Sequence, residues 1–323
     1  MDDFAIQNEV QYQPASSIAD QQIRVHDDDG RSGSLLCHAS GPLNSGRLPA
    51  ERLLVVVHGA LRNSDLYLAH AQAAAGADGS GTLIVAPQFL ADVDVRGRQV
   101  PPGTLYWDVE GWKGGDPAIG PEPVSSFSAM DSLLCQLAGP GRLPGNRSPS
   151  VVLVGNSAGG QYVNRYAAVG RGPDRLAHDG IQVRFVIANP SAYLYFDKSR
   201  PVDVHSQENV NRWRYGFDEP PPYVDRSPGE SLQCYLERDV TIVLGAEDRD
   251  PGALLLGVSA AAMAQGANRL ERGLNYARHV QGVARRAGVA GKHEPHRVVQ
   301  LTGVGHDAGQ VLAARQTREI MFG

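Results

Sequence analysis

Residues 155–159, Gly-Asn-Ser-Ala-Gly, place a serine inside a G-x-S-x-G motif. The run Val151–Val154 before it is apolar and β-branched, and a helical pattern follows over Gln161–Val169. In that setting the motif forms a tight strand-to-helix turn, which presents the serine hydroxyl at the carboxyl end of a sheet. The alternative is a glycine-flanked helix start with an incidental serine. We predict that Ser157 is a nucleophile.

A serine hydroxyl needs a base, and it needs donors for the negative charge that develops on the attacked carbonyl oxygen. The backbone N–H of Ala158, at the start of the predicted helix, is suited to be one donor. The other is expected in the His-Gly loop directly after the buried run Leu53–Val57. We predict the N–H of Ala60, with Leu61 as the alternative, and we expect His58 to support the loop.

The base should lie downstream of the serine if the order is Ser, acid, His. Only one histidine follows the last strand-like run, Arg297–Leu301, and directly precedes a helical pattern. We therefore predict His306 as the base. The other downstream candidates are His178, His205, His279, His293 and His296.

An acidic residue must hold the imidazole tautomer and stabilise the imidazolium. The strand-like run Val240–Leu244 is followed by three carboxylates, at Glu247, Asp248 and Asp250. The G-x-x-D spacing after the strand favours Asp248. Asp250 is the alternative, while Glu247 is expected to point to solvent.

Strand-like and helical patterns alternate along the chain, which indicates βαβ units in a doubly wound, mostly parallel sheet behind an opening hairpin. The predicted strands are Gln22–His26, Ser34–His38, Leu53–Val57, Thr82–Ala86, Val151–Val154, Val183–Ala188, Val240–Leu244 and Arg297–Leu301. The predicted helices are Leu66–Ala75, Ser128–Leu137, Gln161–Val169, Ala261–Ala287 and Ala308–Ile320.

Two long excursions, residues 91–124 and 191–238, interrupt this alternation and are rich in Pro, Gly, Asp and aromatic residues. We interpret residues 1–323 as a single domain, with 1–21 a polar N-terminal segment and 191–238 a cap or lid insertion. Aromatic residues of the excursions could line a substrate pocket or anchor the loops in the core. The predicted substrate-binding residues are Trp107, Tyr193 and Trp213.

Composition excludes several classes of protein. With 42% hydrophobic and 20% charged residues and a net charge of −5, the chain resembles an ordinary globular protein without a nucleic-acid-binding patch. Three widely spaced cysteines show no metal-ligand pattern. No apolar run is long enough to span a membrane, and the acidic start does not resemble a secretory signal, so we expect a cytoplasmic location.

Taken together, the His-Gly pair, the G-x-S-x-G motif, Asp248 and His306 resemble the α/β-hydrolase superfamily in type and in order, over about residues 20–320. Signatures around Trp107, Trp112 and Tyr193 resemble a microbial and fungal subgroup, with distant similarity to polyester depolymerases and feruloyl-type esterases. The elbow carries Asn156 where many relatives have His.

The resemblance implies an eight-stranded sheet with helices on both faces, and neither cofactor nor metal. It also implies a serine hydrolase that acts on a small-molecule carboxylic ester through an acyl-enzyme. Peptidase or amidase activity, acyl transfer, and a ligand-binding homologue without turnover remain alternatives. The oligomeric state does not follow from these residues.

Overall fold

The computed structural model describes residues 10–46, 48, 50–77, 79–143, 150–203, 209–288 and 296–323. Within these residues, eight strands form one sheet in the order β1-β2-β4-β3-β5-β6-β7-β8. The strands are β1 Gln21–His26, β2 Ser32–Ala39, β3 Arg52–Val57, β4 Thr82–Gln88, β5 Ser150–Asn156, β6 Val183–Ala188, β7 Asp239–Gly245 and β8 Arg297–Leu301.

The sheet is antiparallel only at its beginning. Strand β1 pairs antiparallel with β2, and β2 pairs antiparallel with β4, so that Leu36 stands opposite Gln88. The pairs from β4 through β3 and on to β8 are parallel. This arrangement confirms the predicted hairpin and the mostly parallel, eight-stranded sheet.

Alternate residues of the central strands pack on opposite faces of the sheet. In β3, Leu53, Val55 and Val57 belong to one apolar cluster, and Leu54 and Val56 belong to the other. Both faces are therefore covered by helices, as expected for a buried parallel sheet. The helices are α1 Ser64–Ala75, α2 Asp92–Val95, α3 Ser126–Ala138, α4 Ala158–Val169, α5 Gly172–His178, α6 Pro228–Glu237, α7 Ala260–Met263, α8 Arg269–Arg286, α9 Ala308–Ala313 and α10 Arg315–Phe322.

Two predicted helices are each divided in two. The pattern over Ala261–Ala287 breaks near Gly266, which adopts φ +142°, and helix α8 then starts after the N-cap Asn268. The pattern over Ala308–Ile320 breaks at Ala314, whose backbone is extended (ψ 136°). Apolar periodicity alone did not reveal these breaks.

Helix α6 was not predicted, although its start carries a recognisable signal. Ser227 and Glu230 form a capping box, in which each side chain bonds the other residue's backbone N–H, and Pro228 occupies the first turn. The helix lies inside the 191–238 excursion, of which residues 204–208 are outside the described part of the chain, as are residues 1–9 of the N-terminal segment. No helix among the described residues is long and apolar enough to cross a membrane.

Candidate active site

Ser157 lies on a sharp turn between β5 and α4, with φ 60° and ψ −119°. Neighbouring backbones approach so closely that side chains are excluded around it. A Cβ built on Gly155 would lie 2.3 Å from the carbonyl oxygen of Gly159, and one on Gly159 would lie 2.2 Å from that of Val57. These glycines allow the strained serine conformation, and the predicted elbow is present.

Three of the predicted residues meet in hydrogen-bonding geometry. His306 Nε2 lies 3.0 Å from Ser157 Oγ, and His306 Nδ1 lies 2.7 Å from Asp248 Oδ2. Because a carboxylate only accepts hydrogen bonds, Nδ1 carries the proton and Nε2 is left to accept from the serine hydroxyl. The Asp248 side chain is 3% exposed and that of His306 is 33% exposed. This arrangement can transfer the serine proton to His306.

The competing carboxylates of the β7 loop stand elsewhere. Asp250 and Glu247 are exposed, and Asp250 accepts a hydrogen bond from the backbone N–H of Gly252. Asp248 is held close to the sheet because its backbone N–H donates to the carbonyl of Gly245 and its carbonyl accepts from the backbone N–H of Leu270. Of the three, it is Asp248 that reaches His306.

Behind Asp248 lies a buried arginine that the sequence reasoning did not identify. One amino group of Arg269 is 3.5 Å from Asp248 Oδ1, and the other donates to the carbonyl of Leu254. Burial lowers the pKa of Arg269, while the negative charge of Asp248 acts in the opposite direction and raises it. The guanidinium therefore places a positive charge beside the acid and ties the loop after β7 to it.

The other downstream histidines lie away from this centre or outside the described residues. His178 ends α5, and His296 precedes β8. His279 lies on α8, where its ring accepts a hydrogen bond from the backbone N–H of Phe196. His205 and His293 lie outside the described part of the chain. Among the described residues, no group of three or more His, Cys, Asp or Glu side chains could hold a metal ion.

Asn156, the departure from the usual elbow, links the serine turn to the loop of the base. Its amide nitrogen donates to the carbonyl oxygen of His306, and its amide oxygen accepts from Asn189. Asn189 in turn contacts the carbonyl of Gly305 and accepts from the N–H of Gly245. This pair of amides connects the ends of β5, β6 and β7 with the segment that carries His306.

On the other side of Ser157 lies the loop after β3. His58 is fully buried: its Nδ1 donates to the carbonyl of Gly59 and its Nε2 accepts from the N–H of Phe89. Burial lowers the pKa of His58 to about 4, so the ring is neutral. Ala60 lies beside Ser157 in the same pocket, whereas Leu61 is 40% exposed. The loop thus has the support from His58 that the sequence suggested.

A pocket of about 350 Å³ opens at Ser157. It is lined by Ala60 and Ala158, the two predicted oxyanion donors, and by residues that the sequence did not point to. These include Gln11 and Tyr12, the ion pair of Glu110 and Lys113, Gln161, Ser191 and the loop 255–259. Tyr215, one of the aromatic residues of the 191–238 excursion that the sequence did offer for a pocket, also lines it. The pocket wall is therefore part polar and part apolar.

The three aromatic residues predicted to bind substrate do not line this pocket. Trp107 donates to the carbonyl of Val124, Tyr193 stacks on Tyr276, and Trp213 donates to the carbonyl of Gly114. All three side chains are buried in the core. The prediction needs correction: these rings anchor the two excursions, because large apolar side chains serve packing as readily as binding.

No protein-family model and no curated protein matches the sequence. Solved structures do match. The poly(aspartic acid) hydrolase-1 of Sphingomonas sp. KT-1 has a TM-score of 0.66 and 20% identity, over 96% of this chain and 100% of that one. The LpqC poly(3-hydroxybutyrate) depolymerase of Bordetella parapertussis has a TM-score of 0.63 and 23% identity, over 92% of this chain and 87% of that one.

This chain has the α/β-hydrolase fold. Within the α/β-hydrolase fold, residues at the carboxyl ends of parallel strands meet at one edge of the sheet. Ser157 follows β5, Asp248 follows β7 and His306 follows β8, which is the chain order usual for this fold.

Proposed function

We propose that this chain is a serine hydrolase that cleaves small carboxylic esters through an acyl-enzyme. The observation that carries the proposal is the pair of contacts made by His306, 3.0 Å to Ser157 Oγ and 2.7 Å to Asp248 Oδ2. A strained serine with an imidazole on one side and a buried carboxylate behind that imidazole is the arrangement that activates a hydroxyl for attack.

In the first half of the reaction, Ser157 Oγ attacks the ester carbonyl while His306 Nε2 takes the hydroxyl proton. The resulting oxyanion is held by the backbone N–H groups of Ala60 and Ala158, and Asp248 stabilises the imidazolium. Collapse breaks the carbon–oxygen bond to the alcohol, which leaves with the proton from His306. The acyl group stays on Ser157.

In the second half, water attacks the acyl-enzyme and His306 takes its proton. The second tetrahedral intermediate releases the carboxylic acid and returns the proton to Ser157. The pocket volume of about 350 Å³ lies at the lower end of the roughly 300–1,000 Å³ that ligand sites span, which favours short acyl groups.

The test is turnover of p-nitrophenyl esters with acyl chains from two to sixteen carbons, beside aminoacyl-p-nitroanilides. We expect cleavage of the short esters, weak cleavage of the long ones, and complete dependence on Ser157. The matched control is Ser45→Ala, which removes a hydroxyl from an exposed loop. Faster cleavage of the anilides would move the proposal to a peptidase, and turnover that survives Ser157→Ala would overturn it.

A further inference from the structure

The loop that carries Ala60 is held by a buried arginine. Arg62 is fully buried with φ 57°, and its guanidinium donates twice to Asp94, at 2.5 and 3.2 Å. It also donates to the carbonyl oxygen of Ala60 at 2.8 Å. A bidentate arginine–carboxylate pair fixes orientation as well as charge, so the carbonyl of Ala60 has little freedom to turn.

The same guanidinium holds a segment far away in sequence. It donates to the carbonyls of Gln11 and Gln13, at 2.9 and 2.7 Å. Asp94 accepts from the N–H of Ala15 at 2.6 Å. We call residues 11–19 the N-terminal strap. It is held through its main chain, which explains why its side chains show no pattern in the sequence.

A second buried side chain completes the attachment of the strap. Gln88, at the end of β4, accepts from the N–H of Ala19 and donates to the carbonyl of Ser17, at 2.9 and 2.8 Å. Its amide nitrogen also donates to the carbonyl of Arg62 at 2.9 Å. The strap and the Ala60 loop are therefore parts of one hydrogen-bonded unit.

Hydrogen bonds to the Gly59 and Ala60 carbonyls restrict the directions open to the Ala60 N–H. In a trans peptide, the N–H of Ala60 points opposite to the carbonyl of Gly59. That carbonyl is occupied by the ring of His58 and by the backbone N–H of Arg62. With both carbonyls of the turn bonded within the protein, the Ala60 N–H is left for the pocket that Ala60 shares with Ser157.

We propose that Arg62 is a positioning residue for the oxyanion hole, and that the N-terminal strap it holds forms part of the acyl pocket. The inference deepens the proposed function and rests on it. Gln11 and Tyr12 of the strap line the pocket beside Ser157, so the strap contributes a wall. A buried ion pair with a purely structural role would make the same contacts, and the test must separate the two roles.

The variants are Arg62→Lys, which keeps the charge and loses the fork of donors, and Asp94→Asn, which keeps the shape and loses the charge. The neighbouring pair of the exposed Arg96 and the half-buried Asp92 supplies the matched controls, Arg96→Lys and Asp92→Asn. Each kcat is divided by the number of sites titrated with a fluorophosphonate, so that partly unfolded protein does not count. If Arg62→Lys does not fold, Asp94→Asn decides.

For p-nitrophenyl butyrate we expect kcat per titrated site to fall by about 10²-fold in both variants, the lower end of what loss of one oxyanion donor costs. KM should change little. The matching thionoester places sulfur, a poor acceptor, in the hole, so its rate should fall much less. The ratio of ester to thionoester rates should therefore drop, which a structural role would not cause. The two control variants should leave this ratio unchanged.

Tyr12→Ala tests the wall formed by the strap. We expect it to raise kcat/KM for hexanoate relative to acetate esters, because it enlarges the pocket. Unchanged kcat per titrated site in Arg62→Lys and Asp94→Asn, with normal turnover by the unaltered chain, would overturn the positioning role. If Tyr12→Ala changes kcat/KM equally for all acyl chain lengths, the strap does not form a wall of the acyl pocket. If the unaltered chain neither labels nor turns over, the proposed function fails and this inference fails with it.

Discussion

The two loops on either side of Ser157 each use a histidine, an arginine and an aspartate, but they use them in different ways. On the side of Ala60, His58, Arg62 and Asp94 are fully buried, and most of their hydrogen bonds go to the main chain. Their common effect is to fix carbonyl and amide groups of the loop in place.

On the other side, the contacts among the histidine, the aspartate and the serine run from side chain to side chain. His306 contacts both Ser157 and Asp248, and it remains 33% exposed. Arg269 approaches Asp248 at 3.5 Å, a longer contact than the 2.5 Å between Arg62 and Asp94. Here the arginine contributes charge beside the acid more than fixed geometry.

The difference follows from the role that we propose for each side. A histidine that accepts and returns a proton in each turnover must reach both the nucleophile and the substrate. A loop that presents an N–H needs only to stay still, and buried, fully bonded polar groups are rigid. In the proposed mechanism, the same three residue types therefore serve proton transfer on one side and backbone orientation on the other.

The largest expected effect contrasts the two aspartates. Asp248→Asn should lower kcat by roughly 10⁴-fold, because an amide stabilises the wrong imidazole tautomer. Steady-state kinetics on a short p-nitrophenyl ester measures this directly. Asp250→Asn, at an exposed position of the same loop, is the matched control and should have little effect.

The comparison predicts an order among three variants: Asp248→Asn slower than Asp94→Asn, and Asp94→Asn slower than Asp250→Asn. If Asp94→Asn costs more than Asp248→Asn, the assignment of proton chemistry to one side and orientation to the other is wrong. If Asp250→Asn costs more than Asp248→Asn, Asp250 is the acid of the triad.

A smaller effect concerns the pH dependence of stability and comes from the buried His58. Burial lowers the pKa of His58 to about 4 in the folded chain, below the ordinary value of about 6.5 expected when it is unfolded. As pH falls through 6.5, the unfolded state binds a proton that the folded state does not. The free energy of unfolding should therefore decrease by on the order of 2 kcal/mol between pH 7 and pH 5 from His58 alone.

Urea unfolding at the two pH values checks this in the unaltered chain and in His58→Asn. Between pH 7 and pH 5, the free energy of unfolding of His58→Asn should decrease by on the order of 2 kcal/mol less than that of the unaltered chain, whatever the stability of the variant at pH 7. His279, whose pKa burial also lowers to about 4, supplies a matched variant, His279→Asn, with the same expectation. An unchanged pH dependence in His58→Asn would show that His58 can be charged in the folded protein.

The parts of the site that could be predicted from the sequence are local to single strand ends. Ser157, Asp248 and His306 each follow a buried apolar strand within a few residues, and parallel strands bring their carboxyl ends together. Spacing and strand pattern therefore carried the information. The exposed Asp250 remained an alternative because the sequence does not show which of two nearby carboxylates is buried.

The parts that were missed depend on contacts between distant segments. Arg62 and Gln11 are 51 residues apart, and Asp94 and Ala15 are 79 apart, and both contacts use main-chain atoms of the strap. Such bonds leave no side-chain pattern to read. The aromatic residues were assigned to the pocket although their side chains are conspicuous in the sequence. A large aromatic residue such as Trp213 is equally typical of a buried core and of a binding site, so its type alone does not distinguish the two.

The central claim is that Ser157 is the nucleophile activated by His306, and covalent labelling tests it most directly. Intact-mass measurement and peptide mapping after treatment with a fluorophosphonate should show one adduct per chain, on Ser157. Labelling should vanish in Ser157→Ala and slow strongly in His306→Asn, while Ser45→Ala labels normally. No adduct on the unaltered chain, or an adduct on another residue that persists in Ser157→Ala, would contradict the account.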